Sequence, residues 1–277
     1  MSVKPVWIVL AGLLLLIVGL GAAQLTRATD FARVIGGLNA GVAAGDAVGA
    51  VDVATLPPLV RAFAERNGGR VGAARVVVAT QIAEMRLTPE QDFFPLTATQ
   101  MFGTHTPDFV WHARATMMGA VPVEVVDAYV GGHGLLEARI ASSITVARQD
   151  GELADRGEAV RYLAELPFNP DAILNAAMLE WTAIDATQLR VSMKVGSGVV
   201  AALLRFDAAG DIVEVEAQRP RLVDGTVVES RWVGRLSGYA AVGAYRLPMQ
   251  GEVLWDLPEG EFVYWRGGMT GLVPVAD

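Results

Sequence analysis

Arg190-Val191-Ser192-Met193-Lys194-Val195 sets apolar Val191, Met193 and Val195 against polar Arg190, Ser192 and Lys194. Successive side chains of a strand point to opposite faces, so a period of two reads as a strand with one buried and one wetter face. The pattern returns downstream. Val213, Val215 and Ala217 alternate with Glu214 and Glu216, and Met249, Gly251, Val253 and Trp255 alternate with Gln250, Glu252 and Asp256. Turn chemistry separates such runs at Gln149-Asp150-Gly151, Asp207-Ala208-Ala209-Gly210, Asp224-Gly225 and Pro258-Glu259-Gly260. From Arg70 onward the chain therefore predicts antiparallel strands, about nine or ten in all.

One helical insertion interrupts them. Asp155-Arg156-Gly157-Glu158 fits a capping box with Asp in place of Ser or Thr. Val160, Leu163 and Leu166 then share a face until Pro167. Asn169-Pro170-Asp171 starts a second helix, with Asn as cap, Pro at the first position and an acid favouring the dipole. The expected fold class is mainly β (α+β): a curved antiparallel sheet or half-barrel covered by this mid-chain helical hairpin. Such a cover buries the sheet's second apolar face, and where it is incomplete an apolar cavity remains.

Upstream, the first helix of the folded part is expected at Thr55-Leu56-Pro57-Pro58, with Asn67-Gly68-Gly69 as its stop. Gly36 to Ala50 is about two thirds Gly and Ala and reads as flexible spacer. Pro5 to Ala23 carries no charge and contains eleven Leu, Ile and Val residues. These favour membrane insertion by about 3 to 6 kcal/mol, and the stretch is long enough as a helix to cross the hydrocarbon layer. Gly21-Ala22-Ala23 before Gln24 also suits signal-peptide cleavage. The length of the apolar stretch favours an uncleaved signal-anchor. The expected organisation is a transmembrane signal-anchor over 1–25, a Gly/Ala-rich linker over 26–54 and a β-rich globular domain over 55–277. The domain is expected outside the cytoplasm, on a single-pass cell-membrane protein.

Composition narrows the chemistry. A net charge of −8 with scattered Lys and Arg lacks the basic footprint of a nucleic-acid binder. With no cysteine, disulfides, thiolate metal sites, thiol nucleophiles and a lipidated N-terminal Cys are excluded. About half the residues are hydrophobic, which calls for a large core or an apolar cavity beyond the N-terminal block.

From Leu56 to the C-terminus the chain resembles an uncharacterised bacterial family, a domain of unknown function. The likeness is carried by Leu56-Pro57-Pro58-Leu59-Val60-Arg61, Glu84-Met85-Arg86 and Pro107-Asp108-Phe109-Val110-Trp111. It continues through Arg156-Gly157-Glu158, Arg161-Tyr162-Leu163-Ala164-Glu165-Leu166-Pro167 and Trp181. It ends with Tyr245-Arg246-Leu247-Pro248, Glu252-Val253-Leu254-Trp255 and Tyr264-Trp265-Arg266. Met249 stands where the family often has Thr. The resemblance carries no established activity. In layout the chain is similar to the periplasmic lipoprotein-carrier half-barrels, which implies a strand-rich trough with a helical cover.

Trp111, Trp181, Trp232, Trp255 and Trp265, with Phe93, Phe94, Phe109, Phe168 and Tyr162, supply either ordinary core or the rigid wall of a lipid-sized cavity. Arg161 and Glu165 are spaced for an i,i+4 pair, and facing a cavity they could hold a polar head group. Glu84, Glu137 and Glu252 lie mid-strand and read as solvent-facing or Arg-paired acids, with a general base as the alternative. The ligand-binding candidates are Trp111, Arg161, Tyr162, Leu163, Glu165, Phe168, Trp181, Glu252 and Trp255. No catalytic residue, metal site or cofactor is expected: His105, His112 and His133 lack ligand spacing, and neither a nucleophile elbow nor a phosphate loop occurs.

The leading functional expectation is a membrane-tethered domain that binds an acyl chain or similar apolar ligand beside the bilayer. A cell-envelope interaction or sensor module with a solid core is the second, its protein partner unknown, and a hydrolase using buried carboxylates the third. A ligand cavity requires inward residues too small to fill the space under the helices. A solid core requires Trp and Leu to close it, and an enzyme requires polar groups converging inside.

Overall fold

Alternation along the chain becomes a single curved antiparallel sheet in the computed structural model, which describes residues 4–46, 49–117, 119–223 and 225–275, with the helical backbone alone over 4–20. Helix α1 (Lys4–Ala44) and helix α2 (Pro58–Arg66) come first. A six-strand meander follows: β1 (Val76–Met85), β2 (Phe94–Gly103), β3 (Phe109–Met117), β4 (Val121–Val130), β5 (His133–Ile140) and β6 (Ile144–Asp150). The helical insertion comprises α3 (Glu152–Ala164), a 3-10 turn (Leu166–Phe168) and α4 (Pro170–Asn175). The second run is β7 (Glu180–Ala183), β8 (Gln188–Val195), β9 (Gly198–Phe206), β10 (Ile212–Val223) and β11 (Thr226–Ser237). The short β12 (Ala240–Val242) and β13 (Tyr245–Leu247) form a ribbon of their own, before β14 (Gln250–Leu257) and the long β15 (Gly260–Val275).

Among the described residues thirteen strands join in the order β6-β5-β4-β3-β2-β1-β15-β14-β11-β10-β9-β8-β7. The expected nine or ten strands fall short. Strand β6, exposed along its whole length, carries no burial alternation to read, and β12 and β13 are only three residues long. The first and last strands pair at the centre, Val76 opposite Val275 and Met85 opposite Trp265. The two edges, β6 and β7, are the strands that flank the helical insertion. Helix α3 packs on β4, β5 and β6 at one end of the order and on β8, β9 and β10 at the other. One short helix can touch both only if the sheet curls into a trough around it.

The trough's inner rows are the period-two positions. Val77, Ala79 and Ala83 of β1, Phe109, Trp111 and Ala113 of β3, and Leu189, Val191 and Met193 of β8 join the main core, into which α3 sends Val160, Tyr162 and Leu163. At the helix starts, α4 takes the expected Asn cap, Asn169 accepting from the Ala172 amide at 3.3 Å. The capping box at Asp155 does not form. Helix α3 begins at Glu152 behind Gly151, without a side-chain cap. Asp155 instead accepts from the Gly134 amide at 2.7 Å. Gly134 has to be glycine: a Cβ there would lie 2.3 Å from the Ala154 carbonyl, so β5 can touch the first turn of α3 only without a side chain.

The stretch expected as spacer is helical as far as Ala44. Alanine favours helix, and Phe31, Ile35, Leu38 and Val42 fall at helical spacing as one apolar stripe. That stripe packs on Val76, Val110, Val126 and Ala128, which project from the sheet face opposite α3. Arg139 lies 4.4 Å over the Phe31 ring, and Gly41 lets the helix close on Val130, which a Cβ would meet at 2.6 Å. The expected membrane span, 5–23, lies outside the residues whose side chains are described, apart from its last three. Among the described residues no helix is long and apolar enough to cross a membrane.

Candidate functional site

Between the concave face of the sheet and α3 lies a cavity of about 470 Å³. The inward rows of the central strands build it. On β11 these positions are Trp232, Gly234 and Leu236; on β14 they are Gly251, Val253 and Trp255, with Trp265 and Met269 from β15. Trp111 and Met85 face them from the other wing, and Phe168 comes from the turn after α3. One glycine keeps space open. A Cβ built on Gly234 meets nothing within 4 Å, although its neighbours in register, Val215 and Val253, both pack on the core.

One end of the cavity is polar. Trp111 donates its indole N–H to Gln81 Oε1 at 2.8 Å, Gln81 donates to Gln100 Oε1 at 3.2 Å, and Gln100 donates to Glu165. Arg161 Nε donates to Glu165 Oε1 at 2.9 Å while its Nη1 holds Asp127. Arg219 Nη2 donates to Glu158 Oε1 at 2.7 Å. The guanidiniums of Arg161 and Arg219 also lie over aromatic faces, 5.0 Å from Trp111 and 5.3 Å from Trp232.

Two oxygens in this cluster have no partner: Asp127 Oδ1 and Glu158 Oε2. Burial pushes the Glu158 carboxyl well above the usual carboxylate range. The neighbouring Asp127 adds to the shift and Arg219 opposes it. Burial alone would lower Arg161, but Glu165, Asp127 and Glu158 around it hold it firmly protonated. Three carboxyls against two guanidiniums leave one excess negative charge in a largely buried cluster. A proton on Glu158 removes that charge and supplies the hydrogen bond between the two partnerless oxygens.

Of the residues singled out in the sequence, Trp111, Arg161, Glu165, Phe168, Glu252 and Trp255 line this cavity. Glu252 borders it but is exposed to solvent. Tyr162 and Leu163 do not line it. They sit fully buried on other faces of α3, where residues between two sheet wings pack as core. Trp181, on edge strand β7, is half-buried against the core outside the cavity. Of the mid-strand acids, Glu137 is buried between Arg139, at 2.7 Å, and Arg148, and Glu84 pairs with Arg266. Among the described residues no group of three or more His, Asp or Glu side chains is arranged to hold a metal ion. Gln81, Asp127, Arg219 and Arg221 were missed, and Glu158 was read only as part of a capping box and of the family likeness. For the two arginines a signal existed: continuing the inward row Val215, Ala217 by twos reaches Arg219 and Arg221.

Among curated proteins none matches this chain. A LolA superfamily protein from Nitrosomonas europaea is similar at 10% identity and a TM-score of 0.43, over 79% of this chain and 94% of that one. A beta-barrel-like protein of the domain of unknown function DUF1849 from Brucella abortus is similar at 11% identity and a TM-score of 0.22, over 74% and 100%. The sequence matches a family of unknown function, DUF6544, over residues 46–267, and the chain belongs to that family.

Proposed function

We propose that this chain is a membrane-tethered, extracytoplasmic domain that takes up an apolar, chain-like ligand such as an acyl lipid in the cavity beneath α3. The observation that carries the reading is Gly234. It is an inward position with Trp232 and Leu236 beside it on β11, Val215 and Val253 opposite, and open space above it. A solid core would have filled that position, because protein interiors close voids of this kind. The volume falls within the range of roughly 300–1,000 Å³ usual for small-ligand sites, and apolar walls with a few fixed polar groups are their usual composition.

The tether reading is supported by the apolar block over 5–23 at the start of α1 and by the docking of that helix's far end on the sheet. A helix of 41 residues is roughly 60 Å long at about 1.5 Å per residue. About half of it suffices for the hydrocarbon layer, and the remainder would hold the cavity at a set distance from the bilayer.

Native mass spectrometry of the full chain released from nanodiscs, paired with lipid extraction, tests this reading. An acyl lipid retained at close to one per chain supports it. A protein mass that stays bare after exposure to membrane lipids overturns it.

A further inference from the structure

The cavity contains three arginines, and they are not equivalent. Arg161 and Arg219 are taken up by Asp127, Glu165 and Glu158, in a cluster that one proton makes neutral. Arg221 also lines the cavity but forms no ion pair among the described residues, and its Nε is buried without a hydrogen-bond partner. Its guanidinium lies 5.7 Å over the ring of Trp255, which fixes it to the wall. Burying an unpaired guanidinium nitrogen is costly unless something occupies it.

Position completes the argument. Along the inward row of β10, Ala217 stands opposite buried Trp232, whereas Arg221 stands opposite Val228, which is 41% exposed. Arg221 is therefore at the open end of the row and Arg219 lies deeper. A chain-like ligand lying along the aromatic wall would leave its head group beside Arg221. With Nε buried, the Nη1 and Nη2 end of the guanidinium offers two parallel donors, a fork that matches the two oxygens of a carboxylate or phosphate.

We propose that Arg221 is the head-group site of the cavity and that the ligand is an anionic amphiphile, its acidic group on the Arg221 fork and its chain against Trp255 and the open space over Gly234. This rests on the reading of the cavity as a chain-binding site.

The test compares hexadecanoic acid with hexadecanol, which has the same chain and a neutral head, on the full chain in amphipol by native mass spectrometry titration. Inorganic phosphate alone is the third probe. The acid should bind about tenfold or more tightly than the alcohol, as expected for a charge-assisted hydrogen-bond pair. Arg221→Ala should abolish that preference while leaving alcohol binding in place. Arg221→Gln serves equally if the alanine variant melts early. Equal binding of acid and alcohol to the native chain overturns the Arg221 assignment and leaves the cavity reading standing. Failure of both to bind overturns the cavity reading itself. Phosphate binding as tightly as the acid overturns the amphiphile and assigns the site to a free anion.

Discussion

At the scale of single residues, Gly234 and Glu158 make opposite demands on their surroundings. Gly234 has room for a side chain and carries none. Gly234→Leu should fill the cavity and abolish acyl-ligand binding, with the melting temperature unchanged or raised, since glycine within a strand is itself unfavourable. A loss of about 1–3 kcal/mol, the usual cost of overpacking, would show in denaturant titration that the position was already full. Glu158 has no room for its charge. Folded, it holds its proton more tightly than the unfolded chain does, so its own contribution to stability is greatest below the unfolded carboxyl's range and is lost as pH rises through its raised titration range. Glu158→Gln stays neutral throughout, still accepts from Arg219 and can donate to Asp127. Urea midpoints from about pH 5 to about 8 should therefore fall less steeply in the variant, by up to about 1.4 kcal/mol per pH unit. Parallel curves would show that Glu158 is ionised in the native protein. The sequence pointed to Arg161 and Glu165 because both lie on one helix. It did not point to Asp127, whose place beside them depends on how far the sheet curls.

At the scale of elements, propensity and tertiary contact pulled the N-terminal stretch in different directions. Gly36, Gly37 and Gly41 argue for a spacer when read along the chain. They became helix because Phe31, Ile35 and Val42 find an apolar partner surface on β1, β3 and β4, and tertiary burial outweighs a few glycines at about 1 kcal/mol each. Phe31 is 1% exposed. Phe31→Ala should cost about 3–5 kcal/mol of that docking and expose residues 24–44 to limited proteolysis while the sheet stays protected. Equal resistance in the variant would place the stability of α1 elsewhere. The same contrast explains what was legible. Strands with one dry and one wet face, such as β8, announce themselves, as do α2 and α4 with proline and asparagine at their starts. Helix α3 begins three residues before its apparent cap because its first turn is held from outside, by β5 at Gly134, and no local pattern records such a partner.

At the scale of the whole molecule, the order of the strands decides what a ligand can do. The chain builds one wing from β1 to β6, crosses the open side of the trough through α3 and α4, and builds the other wing from β7 to β14, with β15 joining the two beside β1. The cavity draws on both wings, through Trp111 and Asp127 on one side and Trp232 and Trp255 on the other, with Arg161 of α3 between. A ligand lying there bridges parts that are also joined along the β1–β15 seam and through the helical insertion. Its binding free energy should therefore appear in the unfolding of the whole domain. At a hundredfold excess over Kd that amounts to about 2.7 kcal/mol. Hydrogen exchange at saturating hexadecanoic acid should slow in β3 and β4 as well as in β10 and β11, accompanied by a rise of a single thermal transition. Protection confined to one wing would mean that the ligand lies on that wing's surface. The aromatic walls would then be core, and the trough would serve to support α3 rather than to enclose a ligand.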